Sequence, residues 1–256
     1  VTTQIAIAGA LGRMGRAVSQ VVAERDGAEV CALFDRSDEG AVGDNREHAL
    51  ELADVVIDFT TPQASADLAH AAAKGGRVAL VIGATGFTPH TEDILRKAAE
   101  RIPIVKSGNF SLGVNVMLGL VRQAAKALPA AQYDIEVSEA HHRRKLDAPS
   151  GTALMLGEAA ASGRNVKLDD VAVRARDGVT GPRLESTIGF SVLRGGGTIG
   201  EHSVLFAAED EILTISHSAR DRSLFARGAV EAALWIVGKP PGLYDMQDVL
   251  GFSTHG

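Results

Sequence analysis

The chain has 256 residues, 45% of them apolar and 23% charged, with a net charge of −6. That length suits one large α/β domain or two smaller ones with separate cores, and the composition is that of an ordinary soluble globular protein. The negative balance disfavours non-specific nucleic-acid binding, and no charge-free run of about 18 apolar residues is present to span a membrane.

In chain order, Gln4–Ala8 reads as a short apolar strand, followed by GALGRMG and a helical pattern carrying Val18, Val21 and Val22. Ala28–Phe34 is the next strand and ends at Asp35. It holds the only cysteine, Cys31, which cannot form an internal disulfide and reads as a small buried hydrophobe. One cysteine fits a reducing compartment. The start VTTQIAIAGALG lacks a basic segment before a long apolar core, so a cytoplasmic location is expected.

Residues 36–52 are weakly patterned and read as loop plus a short helix. Val55–Phe59 is a strand, and Pro62 opens a helix. Val78–Ile82 is a strand ending in GATGF, Pro89 opens a further helix, and Ile102–Val105 ends in KSGNFSLG. Near-continuous apolar strands alternating with helices predict a Rossmann-like parallel sheet covered on both faces.

The character changes near residue 110. A helix over VNVMLGLVRQAAKAL leads to a strand at Tyr133–Ser138, a basic patch, and the helix GTALMLGEAAAS. VAVRAR, STIGFSVL, HSVLFAA and ILTISHSA read as strands of a mixed open sheet, with a glycine turn at 195–197. The last helix, Leu224–Val237, stops near Gly238 with Pro240 beyond. The pattern predicts a dinucleotide-binding domain over 1–110 and 221–256. A separate α+β domain is expected over 111–220.

Gly9, Gly12 and Gly15 form G-x-x-G-x-x-G between a strand and a helix. Glycines there permit a tight turn, close approach of a pyrophosphate and helix–sheet contact. The helix N-terminus adds backbone N–H groups and a favourable field. The spacing differs from the commoner G-x-G-x-x-G, so the flanking strand and helix and the acid at the next strand end carry the argument. Asp35 suits the ribose hydroxyls of NADH. Arg36, and Arg13 within the loop, suit the 2′-phosphate of NADPH. Use of either cofactor is expected. GATGF and GNF fall at strand ends that face the ligand crevice of an open parallel sheet.

The second site lies in EAHHRRKLDAPSGTA, residues 139–153. Ser150 can cap a helix whose first residues are Gly151 and Thr152. With His141, His142 and Lys145 nearby, this helix start suits a small molecule with two carboxylates. Histidine suits proton transfer at neutral pH, and Lys145 can supply a fixed charge or a proton. Residue types alone leave those duties undivided. Adjacent histidines with Glu139 match no zinc spacing, and the surrounding cations would repel a divalent ion, so no metal is expected.

That segment resembles the signature of the dihydrodipicolinate reductases. IAGALGRMG, IDFT, GATGF, NFSLGVNVML, TIGFSVLRGG, GEH and GLYDMQDVL are similar to that family as well, so the likeness spans nearly the whole chain. The resemblance implies NADH- or NADPH-dependent reduction of a cyclic imine dicarboxylate to tetrahydrodipicolinate, on the route to diaminopimelate and lysine. It further implies a homotetramer built through the second domain's sheets. Carried over, His141 is the proton donor and Lys145 its catalytic partner. His142, Lys145, Gly151 and Thr152 hold the substrate carboxylates. Gly9, Gly12, Arg13, Met14, Gly15, Asp35, Arg36, Gly83, Ala84, Thr85, Gly108, Asn109 and Phe110 bind cofactor.

Two departures stand out. The family often has GTTGF where this chain has Ala84, which removes a hydroxyl. The stretch between Asp35 and Val55 is also short for the family. Other readings are a different NAD(P)-dependent amino-acid-pathway dehydrogenase acting on a small dicarboxylate, and a non-catalytic nucleotide sensor. A sensor has no reason to assemble a second cationic site.

Overall fold

The computed structural model describes residues 1–35 and 45–252. The chain divides into two units, Val1–Leu112 with Ser223 onwards, and Gly113–Arg222.

The first unit begins β1 (Thr3–Ala8), α1 (Arg13–Ala23), β2 (Ala28–Phe34) and α2 (Arg46–Leu52). It continues β3 (Val55–Asp58), α3 (Pro62–Gly75), β4 (Ala79–Ile82), α4 (Pro89–Ala99) and β5 (Pro103–Lys106). The helix α5 (Leu112–Ala127) follows. The second unit continues with β6 (Asp134–His141), α6 (Gly151–Gly163), α7 (Leu168–Val171) and β7 (Ala172–Val173). It ends with β8 (Ile188–Arg194), β9 (Glu201–Ala207) and β10 (Ile212–Ser218). The chain then adds α8 (Ser223–Ile236), β11 (Gly242–Tyr244) and α9 (Met246–Val249) to the first unit.

Among the described residues the first sheet has six strands in the order β11-β5-β4-β3-β1-β2, every pairing parallel. Both faces are covered. Ile5, Ile7, Val55, Ile57 and Val81 pack with α1 and α8, while Ala6, Ala8, Val56, Leu80 and Ile82 pack with α2, α3 and α4. Alternate residues of one strand thus enter two different cores, which is why these strands read as continuously apolar. Helix starts follow local chemistry. The Thr61 hydroxyl accepts from the Ala64 N–H with Pro62 next in line, and Thr88 and Thr91 form a reciprocal capping box before α4.

The second sheet is mixed, ordered β10-β9-β6-β8-β7, with β6–β8 and β7–β8 parallel and β9 antiparallel to both β6 and β10. β6 alternates strictly. Ile135, Val137, Glu139 and His141 are buried, while Asp134, Glu136, Ser138 and Ala140 are partly exposed. Ile135 and Val137 share a core with Val114, Val121, Leu156 and Phe206.

Several elements differ from the sequence reading. β6 runs three residues past Ser138, so the basic patch begins inside a strand. VAVRAR keeps only Ala172–Val173 in the sheet, because Arg176 turns to bind Glu136 through both guanidinium nitrogens, at 2.9 and 2.7 Å. β11 and α9 leave no mark in the sequence pattern because three- and four-residue elements carry too little periodicity.

Candidate active site

In the first unit, β1 delivers Gly9 at φ +67°, a left-handed conformation suited to glycine. The Gly12 N–H donates to the Gly9 carbonyl at 3.0 Å and closes the turn. Gly12 is the N-cap of α1 and offers no side-chain cap, so no side chain competes for the N-terminal amides. Gly15 sits where an added Cβ would lie 2.3 Å from the Gly9 carbonyl oxygen and 2.7 Å from Ala10 Cα. Glycine at this position lets the helix meet its own loop. Arg13 is exposed and Met14 half-buried, packed against the α1–α8 core.

Asp35 follows β2 and accepts from the Leu11 N–H at 3.1 Å, so the acid also braces the glycine loop. Gly9, Gly12 and Asp35 line a groove of about 520 Å³ with Asp58, Phe59, Thr60 and others. Arg36 lies outside the described residues.

The IDFT segment braces the glycine loop. Asp58 accepts from the Thr60 N–H at 2.8 Å and the Thr60 hydroxyl at 2.6 Å. The Thr60 methyl then lies against Gly9. Burial pushes the Asp58 carboxyl up, against the lowering effect of the nearby Ser65 hydroxyl and the Thr60 hydrogen bonds. Phe59 links the groove to the later strand ends. Its ring presses on Gly83, where any Cβ would meet it at 2.1 Å, and stands edge-on to Phe110 at 5.5 Å.

Ala84 is buried in the α3–α4 core, so its methyl packs inward and a threonine hydroxyl there would enter an apolar cluster. Thr85 is exposed. In GNF, Gly108 is exposed between buried Ser107 and Asn109. The Asn109 side chain accepts from the Ser111 N–H at 2.8 Å, and Phe110 is a core residue 1% exposed. The accessible part of this turn is backbone.

In the second unit, β6 places Glu139 and His141 on its buried face. The chain turns through His142 and Lys145, the Lys145 N–H donating to the His142 carbonyl at 3.1 Å, and reaches α6. Ser150 caps that helix, its hydroxyl accepting from the Ala153 N–H at 3.2 Å. Gly151 is exposed and has open space at its Cβ position, and Thr152 is half-buried.

Burial first, then the Arg144, Arg222, His141 and Lys145 charges, push His142 below the ordinary imidazole range. Its Nδ1 is buried without a hydrogen-bond partner. His142 is therefore neutral near pH 7, and Lys145, Arg143 and Arg144 carry the positive charge. Lys145 is itself engaged, its Nζ 2.9 Å from Asp147 Oδ1. The Asp147 carboxyl is held low chiefly by Lys145 and also by the Gly151 amide. Two donors that the sequence offered for a substrate carboxylate thus already face a carboxylate of the chain.

His141 Nδ1 makes a short contact with Glu139 Oε2. Arg194 grips Glu139 through both terminal nitrogens, at 2.9 and 2.8 Å, and the Ser150 N–H donates to Glu139 Oε1 at 2.9 Å. His202 stands edge-on to His141 at 5.0 Å between ring centres, its Nε2 3.2 Å from the Ser150 hydroxyl. Burial first, and then the His141 charge, push His202 down to about 4. Glu139, His141 and His202 bring potential ligand atoms within 4.8 Å of one another. The donor set does not suit a metal ion, because Arg194, His141 and Ser150 use all four acceptor positions of the carboxylate and a guanidinium lies against it.

A parallel sheet with a glycine loop entering an uncapped helix, joined to a unit with a histidine beside a cationic helix start, defines a dinucleotide-dependent oxidoreductase. Family models of the dihydrodipicolinate reductases match both parts, the N-terminal model over residues 3–110 and the C-terminal model over 113–250. The 4-hydroxy-tetrahydrodipicolinate reductase of Caulobacter vibrioides is 65% identical over 252 residues, covering 97% of each chain. That of Allorhizobium ampelinum is 50% identical over 98% of this chain and 99% of its own. The dipicolinate-bound dihydrodipicolinate reductase of Paenisporosarcina sp. TG-14 superposes with a TM-score of 0.79 at 25% identity, over 96% of this chain and 98% of that one. The chain belongs to the dihydrodipicolinate reductase family and is an NAD(P)H-dependent oxidoreductase. Among the described residues no helix is long and apolar enough to cross a membrane.

Proposed function

We propose that the chain reduces 4-hydroxy-tetrahydrodipicolinate to tetrahydrodipicolinate with NADH or NADPH, taking up one proton and releasing water. The carrying observation is the placement of His141 beside a helix start flanked by Lys145, with the glycine loop on the other unit. The cofactor, when bound, supplies the hydride. Gly9, Gly12, Arg13, Met14, Gly15 and Asp35 hold its adenosine and pyrophosphate end, together with Arg36. The backbone of Gly83, Ala84, Thr85, Gly108, Asn109 and Phe110 lines the nicotinamide end. Residues 1–110 and 221–256 form the cofactor domain, and 111–220 the substrate and assembly domain.

The substrate carboxylates take over the Gly151 amide and Lys145 from Asp147 and bind the Thr152 hydroxyl, with His142 as a neutral polar contact. His141 delivers the proton from Nε2 as negative charge develops on the ring. Lys145 stabilises that charge. Exclusion of water and alignment of the reacting atoms supply the rest. The enzyme works in the cytoplasm as a homotetramer. The support for assembly is the open face of the second sheet, where exposed Leu193 and Ile212 sit in register with Ala140 and Ala207.

The test follows NADH and NADPH absorbance with substrate made fresh by an aldolase from pyruvate and aspartate semialdehyde. Substrate-dependent oxidation is expected with either cofactor. A folded chain that binds cofactor but oxidises neither overturns the reading. Sedimentation of the purified protein as a monomer would remove the tetramer.

A further inference from the structure

We propose that Glu139 and Arg194 are positioning residues that fix which nitrogen of His141 moves the proton and tie that histidine to both carboxylate-binding elements. This deepens the functional reading above and rests on it. An ionised carboxylate has about four acceptor positions. In Glu139 each is taken: Oε1 by Arg194 at 2.8 Å and the Ser150 N–H at 2.9 Å, Oε2 by Arg194 at 2.9 Å and by His141 Nδ1. Burial works to raise the Glu139 pKa, but Arg194, then His141 and the Ser150 amide, outweigh it, and the net direction is down.

Glu139 is therefore acceptor-only, and His141 Nδ1 must be its donor. Neutral His141 then carries its hydrogen on Nδ1, and Nε2 is the atom that gains and loses the catalytic proton. Gly200 leaves room beside that atom, since an added Cβ would stand 3.1 Å from Nε2.

The pair also sets distances. The Ser150 amide that Glu139 holds belongs to the cap of α6, so one carboxylate locates both His141 and the Gly151–Thr152 helix start. Arg194 donates further to the Asp147 carbonyl at 2.7 Å, and Asp147 holds Lys145 at 2.9 Å. Proton donor, lysine and helix start thus share one charged framework, the arrangement in which a buried group fixes a catalytic tautomer. Arg194 reaches this place through the parallel β6–β8 pairing, which sets it opposite His141.

The test is a nitrogen-15 spectrum of the histidine side chains in the whole protein, His141 being assigned by its loss in His141→Gln. The expected result is the Nδ1–H form in the neutral state. In Glu139→Gln, mixed tautomers and a fall in kcat of about 100-fold are expected. KM and NADH affinity should stay within about threefold, with partial recovery in Glu139→Asp. A neutral wild-type His141 protonated on Nε2 overturns the proposal, as does a Glu139→Gln variant with near wild-type turnover. Should that variant fail to fold, the wild-type spectrum decides. An inactive wild type that still shows the Nδ1–H form overturns the functional reading and not the tautomer lock.

Discussion

The two units build their sites from different materials. The glycine loop of the first unit is made largely of backbone: a left-handed Gly9, an N-cap without a side chain at Gly12, and a Gly15 whose missing Cβ lets α1 touch its own loop. The site of the second unit is made of side chains locked by charge, with Glu139 buried under Arg194, His141 and an amide. A backbone site recognises what every dinucleotide shares, a pyrophosphate, and tolerates variation in its side chains. On the proposed function, the side-chain site fixes a proton and two carboxylates in one geometry, and each member depends on the others. Substitutions should therefore fall hard on side chains in the second unit and on missing side chains in the first.

The sharpest break should come at His141. His141→Ala should lower kcat by about 1000-fold, the range for a removed general acid, while cofactor binding to the other unit is retained. Steady-state NADH oxidation with parallel fluorescence titration of the cofactor checks both halves. Loss of cofactor affinity along with turnover would mean that the two sites are not separately built.

Next in size is an acid weakness confined to the second unit. His202 titrates near 4 when folded, against about 6.5 unfolded. The unfolded chain then binds the extra proton first, so stability falls as pH drops through that window, by up to about 3 kcal/mol. His142 and His217 are shifted the same way by burial, and add to the loss. Urea unfolding between pH 7 and 4 should show the slope, and His202→Gln should flatten part of it. An unchanged slope in that variant would assign the acid weakness elsewhere.

Gly15→Ala tests the first unit's side of the contrast. Its new methyl meets backbone atoms, which do not swing aside as a flexible side chain would. A stability loss of about 2 kcal/mol is expected for such overpacking, with weaker NADH and NADPH binding and unaltered binding of pyridine-2,6-dicarboxylate. Equal loss at both sites would contradict a locally built groove.

How much of this was legible follows from the same contrast. Gly9, Gly12 and Gly15 are readable because the need for glycine is local: the turn and the helix contact lie within the segment itself. The parallel sheet was readable because alternate residues enter two apolar cores. Arg194 was not readable as a partner of Glu139, because only the β6–β8 register brings them together across 55 positions. His202 escaped for the same reason, reaching His141 through the β6–β9 pairing. His142 stands in a run of basic letters that implies charge, but burial and neighbouring cations lower its pKa, and that depends on surroundings the local sequence does not carry. Asp147 sits inside the basic stretch, where nothing in the letters shows that its carboxylate meets the lysine two residues before it.

That carboxylate gives the smallest and most specific effect. Lys145 and the Gly151 amide both act on Asp147, and the sequence motif assigns both to the substrate. On the proposed assignment, a bound dicarboxylate displaces an internal one. Asp147 is exposed, so its ion pair is worth only about 0.5–1 kcal/mol. Asp147→Asn removes the competing charge but keeps the side chain's size. Binding of pyridine-2,6-dicarboxylate, followed by calorimetry, should tighten about two- to fivefold, the equivalent of that energy. The gain should shrink at high salt, because screening weakens the competing pair in the wild type. Weaker binding in Asp147→Asn would instead mean that Asp147 orients Lys145 for the substrate, making the ion pair part of the binding geometry.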